Sequence, residues 1–137
     1  MTTDELDEKI IEHLKKNSGA SFVDIGKKLG VSEGTIRGRV QRLADNGIIR
    51  HFTILTSSRN IKALVEVKIK VNINTSAVAE RVRKIKGVER VYEVSGENDV
   101  VAIIDVMTTG ELNSIIEGIR GFSDTLSTQT RLVLKEY

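Results

Sequence analysis

Apolar residues recur at helical spacing at the start of the chain, where Leu6, Ile10 and Leu14 share one helix face. This stripe predicts a first helix that ends near residues 17–19, and Thr2 with Glu5 predicts a capping box at its beginning. The pattern describes a short amphipathic helix that needs a neighbour to cover its apolar side.

A second helix is predicted to follow from Ser21, a capping residue. Ile25 and Leu29 face inward, and the small Gly26 allows a neighbouring helix to cross closely. Gly30 then provides a bend, because glycine adopts turn conformations at little cost. Two short helices joined by a glycine-containing turn are typical of a helix-turn-helix.

A third helix begins after Ser32, with Ile36, Val40 and Leu43 on its buried side. The other side carries polar residues, namely Thr35, Arg37, Gln41 and Arg42, with Arg39 at its edge. In a helix-turn-helix the second helix of the pair enters the major groove of DNA. The alternative is an amphipathic helix pair that binds nothing.

Beyond residues 44–47, which end this helix, residues 48–55 are β-branched and aromatic and predict a strand. The strand is either a wing against DNA, with Arg50 and His51 near phosphate, or a connector. We favour the connector and a minor phosphate contact by Arg50. The polar residues 56–60 are expected to contain the domain boundary.

From Ala63 the apolar period changes to two, which predicts strands. Strands are expected at 63–71, 88–94, 100–106 and 126–134, with a helix from Ser76 and another around residues 112–119. This βαββαβ order is that of a ferredoxin-like domain. The predicted class is therefore α+β, with a helix-turn-helix (winged-helix-like) domain at 1–50, a connecting strand and linker at 51–61, and a ferredoxin-like domain at 62–137.

The third strand, residues 100–106, is apolar on both faces, although two helices cover only one face of a four-stranded sheet. The other face is expected to pack against a second copy, which predicts a homodimer. A two-fold dimer presents two recognition helices to half-sites that lie one DNA turn, or a multiple of it, apart.

Net charge adds only a local argument. The chain carries +2, and the excess lies in residues 1–60, with 10 Lys or Arg against 8 Asp or Glu, while residues 61–137 hold 11 of each. Arg37, Arg39, Arg42 and Arg50 form a modest basic patch that suits phosphate. A solvated helix face is the alternative.

Other classes have little support in the residues. The chain has no cysteine and only two histidines, His13 and His51, so no metal site is expected. We find no nucleophile with a nearby base in sequence and no phosphate loop, and we expect no enzyme. Without a spanning apolar run or a secretory signal pattern, a soluble cytoplasmic protein is expected.

Five segments resemble the Lrp/AsnC family of prokaryotic transcription regulators, also called feast/famine regulatory proteins. They are residues 6–14, 29–32, 39–43 and 46–49, and the Gly96-Glu-Asn-Asp99 turn. The resemblance covers nearly the whole chain. It implies a DNA-binding head, a dimer formed through the sheets, often octamers of four dimers, and a free amino acid effector bound between dimers. Compared with many members, this chain is a compact version.

The residues alone already allow an amino acid site at the turn between the middle strands. Backbone N–H groups at Gly96 can bind a carboxylate, and Asp99 can bind an ammonium group. Thr128 and Thr130 share one face of the last strand and can add hydroxyl contacts across an interface. Ordinary hairpin chemistry is the alternative. The resemblance adds that this turn contributes to the effector pocket.

In the predicted DNA complex, Arg37 and Gln41 are assigned to base edges. The remaining candidates are assigned to phosphates or to holding the helix, namely Ser32, Thr35, Arg39 and Arg42. Gly34 and Gly38 either let the helix backbone approach DNA or fit a crowded helix crossing. The alternative function is an amino-acid-sensing or protein-interaction module without specific DNA binding.

Overall fold

The computed structural model describes residues 2–56 and 60–137. The chain divides into two compact units, Met1–Ser57 and Ser58–Tyr137. Residues 57–59 of the predicted boundary segment lie outside the described residues. No described helix has the length and apolar character needed to cross a membrane.

The first unit consists of three helices, α1 (Glu5–Lys16), α2 (Phe22–Leu29) and α3 (Glu33–Asp45). Their apolar faces meet in one small core, formed by Ile10, Leu14, Ile25, Ile36 and Val40. The side chains of Ser21 and Ser32 cap α2 and α3 by accepting hydrogen bonds from backbone N–H groups three residues on. The predicted helix-turn-helix is thus confirmed.

A buried carboxylate on α1 joins that helix to α3. Asp7 has no exposed surface (0%). Its Oδ2 accepts hydrogen bonds from the Asp4 backbone N–H at 3.1 Å and from Arg42 Nη2 at 2.7 Å, and its Oδ1 accepts one from Arg39 Nη1 at 3.1 Å. Arg39 also donates to the Asp4 carboxylate. Because an unpaired charge is costly to bury, these bonds fix α3 on α1. We call this group of four residues the α1–α3 clasp.

The capping box of α1 lies two residues after the predicted pair. Asp4 Oδ1 accepts a hydrogen bond from the Asp7 N–H at 2.9 Å, and Asp7 returns the bond to the Asp4 N–H. The prediction of Thr2 and Glu5 was wrong because Arg39 and Arg42 hold the Asp4 and Asp7 carboxylates in place.

The predicted strand at residues 48–55 is absent. Residues 46–49 form turns and bends, and residues 50–56 have no regular secondary structure. Ser18 Oγ donates to the Thr53 carbonyl at 3.0 Å, while the side chains of Phe52 and Ile54 are exposed. The prediction was wrong because a β-favouring sequence forms a strand only beside a partner, and no described strand pairs with this segment.

The second unit is a four-stranded antiparallel sheet with two helices. Its elements are β1 (Ile61–Ile69), α4 (Thr75–Arg83), β2 (Val88–Glu93), β3 (Val100–Val106), α5 (Thr109–Arg120) and β4 (Thr125–Leu132). The spatial strand order is β2-β3-β1-β4. This confirms the ferredoxin-like domain and the α+β class. β1 ends at Ile69 and not at residue 71, because Asn72 adopts a turn conformation with φ 64°.

The helix after β1 also begins earlier than predicted. Asn74 and not Ser76 caps α4, by accepting a hydrogen bond from the Ala77 N–H at 3.2 Å. Serine and asparagine are both good caps, so sequence alone does not separate two candidates two residues apart.

The sheet has one covered face and one open face. Val65, Val67, Ala102 and Ile104 lie under α4 and α5 and have no exposed surface. The neighbouring positions Leu64, Glu66, Val101 and Ile103 point to the other side and are partly exposed in one chain. Strands of alternating burial explain this difference. The open face therefore combines apolar side chains with a carboxylate.

The clasp has an acid-sensitive member. The hydrogen bond from Arg39, followed by the one from the Asp7 N–H, lowers the pKa of Asp4 from its ordinary value of 3.8. The hydrogen bonds that Arg39 donates to Asp4 and Asp7 in turn raise the pKa of Arg39. The Asp4 side chain is 52% exposed, so solvent screens this interaction.

We expect the clasp to weaken in acid. A carboxylate whose pKa is lower in the folded state stabilises the fold above its unfolded-state pKa, and it loses this effect as the pH falls through the folded-state pKa. Asp4→Asn should therefore lower the free energy of unfolding near neutral pH. That deficit should shrink below about pH 3.8. Urea unfolding followed by circular dichroism from neutral pH downward measures it, and a deficit independent of pH would contradict the expectation.

Candidate nucleic-acid interface and effector turn

The turn between α2 and α3 fixes how α3 is presented. Gly30 ends α2 with a positive φ of 71°, which a residue with a side chain rarely adopts. A Cβ on Gly26 would lie 2.6 Å from the Val31 carbonyl oxygen, so only glycine fits there. Gly26 of α2 therefore packs closely against the backbone of the turn that precedes α3. Ile36 and Leu43 are fully buried, which directs the opposite face of α3 outward.

The centre of that outward face is helix backbone without side chains. A Cβ on Gly38 would meet no atom within 4 Å, and one on Gly34 would meet only Ser32 Oγ at 3.9 Å. The explanation of these glycines by a crowded helix crossing is therefore wrong. What remains is an exposed strip of α3 onto which another molecule can pack closely.

Arg37 stands beside this strip with its side chain 65% exposed. Its guanidinium is paired with the Glu33 carboxylate one turn earlier and lies 5.5 Å from the centre of the Phe22 ring on α2. Phe22 was not among the predicted site residues, since a cation–π contact between two helices has no local sequence pattern. The contact orients the guanidinium without burying it.

The other predicted residues of α3 fall into two groups. Gln41 is exposed and donates to Asp45 Oδ1 at 2.8 Å, and the hydroxyls of Ser32 and Thr35 are 2.9 Å apart at the start of the helix. Arg39 and Arg42 instead belong to the α1–α3 clasp. Of the predicted residues, Ser32, Thr35, Gln41 and Arg37 lie on the outward face of α3 and form no ion pair with another helix.

Four cations of this unit have no carboxylate within ion-pair distance among residues 2–56 and 60–137. They are Lys15 on α1, Lys27 and Lys28 at the end of α2, and Arg50 after α3. Lys27 and Lys28 were not predicted as site residues, although adjacent basic residues at a helix end are visible in the sequence. Unpaired surface cations are the groups that attract phosphate most effectively.

The predicted effector turn is anchored to β1. Gly96 has φ 118°, so the turn needs glycine there. The Asp99 N–H donates to the Val67 carbonyl at 2.9 Å, and Asp99 Oδ2 accepts from the Ile69 N–H at 2.7 Å. Part of the carboxylate is therefore engaged in holding the turn.

Lys68 adds a positive charge to this turn, which the sequence reasoning missed. Its Nζ donates to the Glu97 carbonyl and lies 3.9 Å from Asp99 Oδ2. Lys68 is distant in sequence and comes close only through the pairing of β1 with β3. The turn thus combines a cation, a carboxylate and backbone groups, which suits a ligand with both charges.

The two predicted threonines lie on the far side of β1 from the turn. Thr128 is opposite Val67 and Thr130 is opposite Val65, on the edge strand β4. Two strand spacings amount to about 10 Å, more than the reach of one small amino acid's charged groups. Within one protomer, the turn and the threonines form two separate surfaces.

Across the described residues, His, Cys, Asp and Glu side chains nowhere gather in threes as a metal site would require.

Family models match the two parts of the chain separately. Residues 3–50 match the model described as winged helix-turn-helix DNA-binding, and residues 62–137 match the model described as Lrp/AsnC ligand binding domain. Together they account for α1 to α3 and for the whole sheet domain.

Individual proteins agree with both matches. The HTH-type transcriptional regulator LysM of Sulfurisphaera tokodaii is 37% identical over 133 residues, which is 96% of this chain and 95% of that protein. The crystal structure of PH0061 superposes with a TM-score of 0.88 at 20% identity, over 100% of this chain and 96% of that one. The regulator NMB0573 of Neisseria meningitidis, in complex with L-Met, has a TM-score of 0.80 at 23% identity, over 98% and 92%. On these matches this chain belongs to the Lrp/AsnC family and is a DNA-binding transcriptional regulator with a ligand-binding domain.

Proposed function

We propose that this regulator reads DNA with the open face of α3 and that a free amino acid, bound at the Gly96–Asp99 turn, changes its binding or assembly. The single observation that carries the first part is the bare backbone at Gly34 and Gly38 between exposed polar side chains. A helix with this face can lie deep in a major groove, as in other helix-turn-helix complexes.

The residue roles follow from what each side chain is free to do. Arg37 and Gln41 are exposed and of the types that bind guanine and adenine edges, so we assign base reading to them. Ser32 and Thr35, at the start of α3, are assigned to phosphate, because backbone N–H groups point outward there. Lys27 and Lys28 are added as phosphate ligands, since the first helix of the motif crosses the DNA backbone.

Support for an amino acid effector comes from the charges at the turn. A free amino acid presents a carboxylate and an ammonium group, and the turn offers Lys68 and backbone N–H groups to the first and Asp99 to the second. The fold neighbour from Neisseria meningitidis carries L-Met, which is an amino acid. Thr128 and Thr130 then contribute from another protomer, because they lie too far from the turn within one chain.

A homodimer through the open sheet face, and an octamer of such dimers, complete the proposal. Leu64, Val101 and Ile103 leave apolar surface on that face. Glu66 Oε2 is buried and accepts no hydrogen bond, although Arg131 Nη2 lies 3.1 Å away in unsuitable geometry. A second copy would cover the apolar groups and supply the missing donor. Action on DNA in this family is expected in the cytoplasm.

The test of DNA reading is selection from a randomised duplex library with the full-length protein. We expect one sequence family to be enriched, and Arg37→Ala to relax the base preference at one position, with a loss of about 1–3 kcal/mol there. Lys15→Ala on α1 is the control for the loss of one charge. An unchanged affinity and preference for Arg37→Ala would exclude α3 as the reader. No enrichment at all would favour a sensing or protein-interaction module.

Gly38→Ala should separate stability from DNA binding. A glycine in a helix interior is about 1 kcal/mol less favourable than alanine, and nothing lies within 4 Å of the new Cβ. Unfolding should therefore become more difficult, by up to about 1 kcal/mol. Affinity for the enriched duplex should fall about fivefold or more, because the methyl group separates the helix from DNA. Gly118→Ala in α5 is the matched control, and an unchanged DNA affinity for Gly38→Ala would exclude close approach.

Calorimetry with each of the twenty amino acids tests the effector site. We expect one or a few to bind, and Asp99→Asn to weaken binding about tenfold or more, the loss for a charged hydrogen bond of about 1.5 kcal/mol. Asparagine can still accept from the Ile69 N–H. Glu117→Gln on α5 is the charge control, and sedimentation of the same samples reports changes in assembly. If no amino acid binds, the effector part of the proposal fails.

A further inference from the structure

The α1–α3 clasp places negative charge directly against the DNA-reading helix. Arg37, Arg39 and Arg42 are the cations of α3, and each is paired with a carboxylate. Two of those carboxylates belong to the start of α1. Asp4 pairs with Arg39 and Asp7 pairs with Arg42, and both pairs are 35 residues apart in sequence. With Glu33 included, three carboxylates pair with the three arginines. The reading helix therefore offers phosphate little free positive charge.

We infer that Asp4 and Asp7 set DNA specificity by occupying the guanidinium groups of Arg39 and Arg42, which would otherwise bind the phosphates of any sequence. This inference rests on the proposed reading of DNA by α3. Of the two roles predicted for Arg39 and Arg42, these residues then hold α3 in place and do not bind phosphate.

The burial of Asp7 explains why the arginines stay in place when DNA arrives. Asp7 is fully buried, and Arg39 and Arg42 supply the only guanidinium bonds to it among the described residues. Moving both arginines to phosphate would leave a buried charge without its cations, which is strongly unfavourable. The exposed Asp4 adds a second bond to Arg39, which DNA would have to displace as well.

The functional consequence follows from how phosphate contacts act. They strengthen binding to every sequence equally and increase its salt dependence, whereas base contacts discriminate. A reader whose arginines are already paired binds random DNA weakly and keeps its preference for the correct site. Asp4 and Asp7 are thus specificity-determining residues that need not touch DNA.

The experiment compares two variants that each remove one negative charge from the same turn of α1. Asp4→Asn keeps a capping side chain but loses the charge paired with Arg39. Glu5→Gln is the matched control, because Glu5 pairs with Lys9 on its own helix, at 2.6 Å. Dissociation constants of the full-length proteins are measured over a salt series, with the library-selected duplex and with a scrambled duplex of equal length.

Asp4→Asn should bind the scrambled duplex more tightly, about eightfold at 0.1 M salt, with a salt dependence steeper by about 0.9, the value for one added phosphate contact. The selected duplex should gain less, so the specificity ratio falls. Glu5→Gln should change both the affinity for the scrambled duplex and its salt dependence by less than Asp4→Asn does. Adding Arg39→Met to Asp4→Asn should abolish the gain, which identifies Arg39 as the cation freed from Asp4. Arg42 neutralises the buried Asp7 in both variants.

Equal salt dependence for Asp4→Asn and Glu5→Gln would overturn the inference and leave the reading of DNA by α3 intact. If the library yields no selected duplex, the proposed function fails and the inference fails with it. Asp4→Ser, which also caps helices, provides the same loss of charge should the asparagine variant not fold.

Discussion

The first unit depends on one buried carboxylate. Asp7 closes the N-terminus of α1 through the capping box and at the same time binds two arginines of α3. Three short helices have a small apolar core, which leaves their angles loosely determined. A buried charge that must be neutralised restricts that freedom, because the Asp7 carboxylate has to meet Arg39 and Arg42 of α3. The orientation of α3 is therefore set by this ion pairing as well as by apolar packing.

The second unit is organised by its sheet register, and the Gly96–Asp99 turn illustrates this. The Val67 carbonyl accepts from Asp99 on one side of β1, while Thr128 is opposite the same residue on the other side. The same strand thus aligns the turn with the edge threonines and keeps them apart. A ligand site that needs both the turn and the threonines must be formed by more than one chain. Ligand binding at such a site would therefore depend on how the chains assemble.

Local features of this fold could be predicted from the sequence, and features that depend on distant partners could not. Ser21 and Ser32 were identified as caps because the hydrogen bond lies within one turn. β3 was predicted at residues 100–106 from its apolar run, as found. The sequence pattern favours Thr2 over Asp4 as the cap, because the deciding contact comes from Arg39, 35 residues away. The composition of residues 48–55 predicts a strand, but propensity describes single residues and not the partner strand that they would need. Lys68 was missed at the turn for the same reason.

The two glycines in α3 also affect how the protein responds to heat. Each weakens the helix relative to alanine, in the element that is proposed to contact DNA. The helical structure of α3 therefore depends on its packing against α1 and α2. In the proposed complex it would also be stabilised by DNA. Warming should therefore loosen α3 more readily than a helix with alanine at both positions. In the proposed mode of DNA reading, this loosening weakens promoter binding through α3 alone, without any change in the ligand-binding domain.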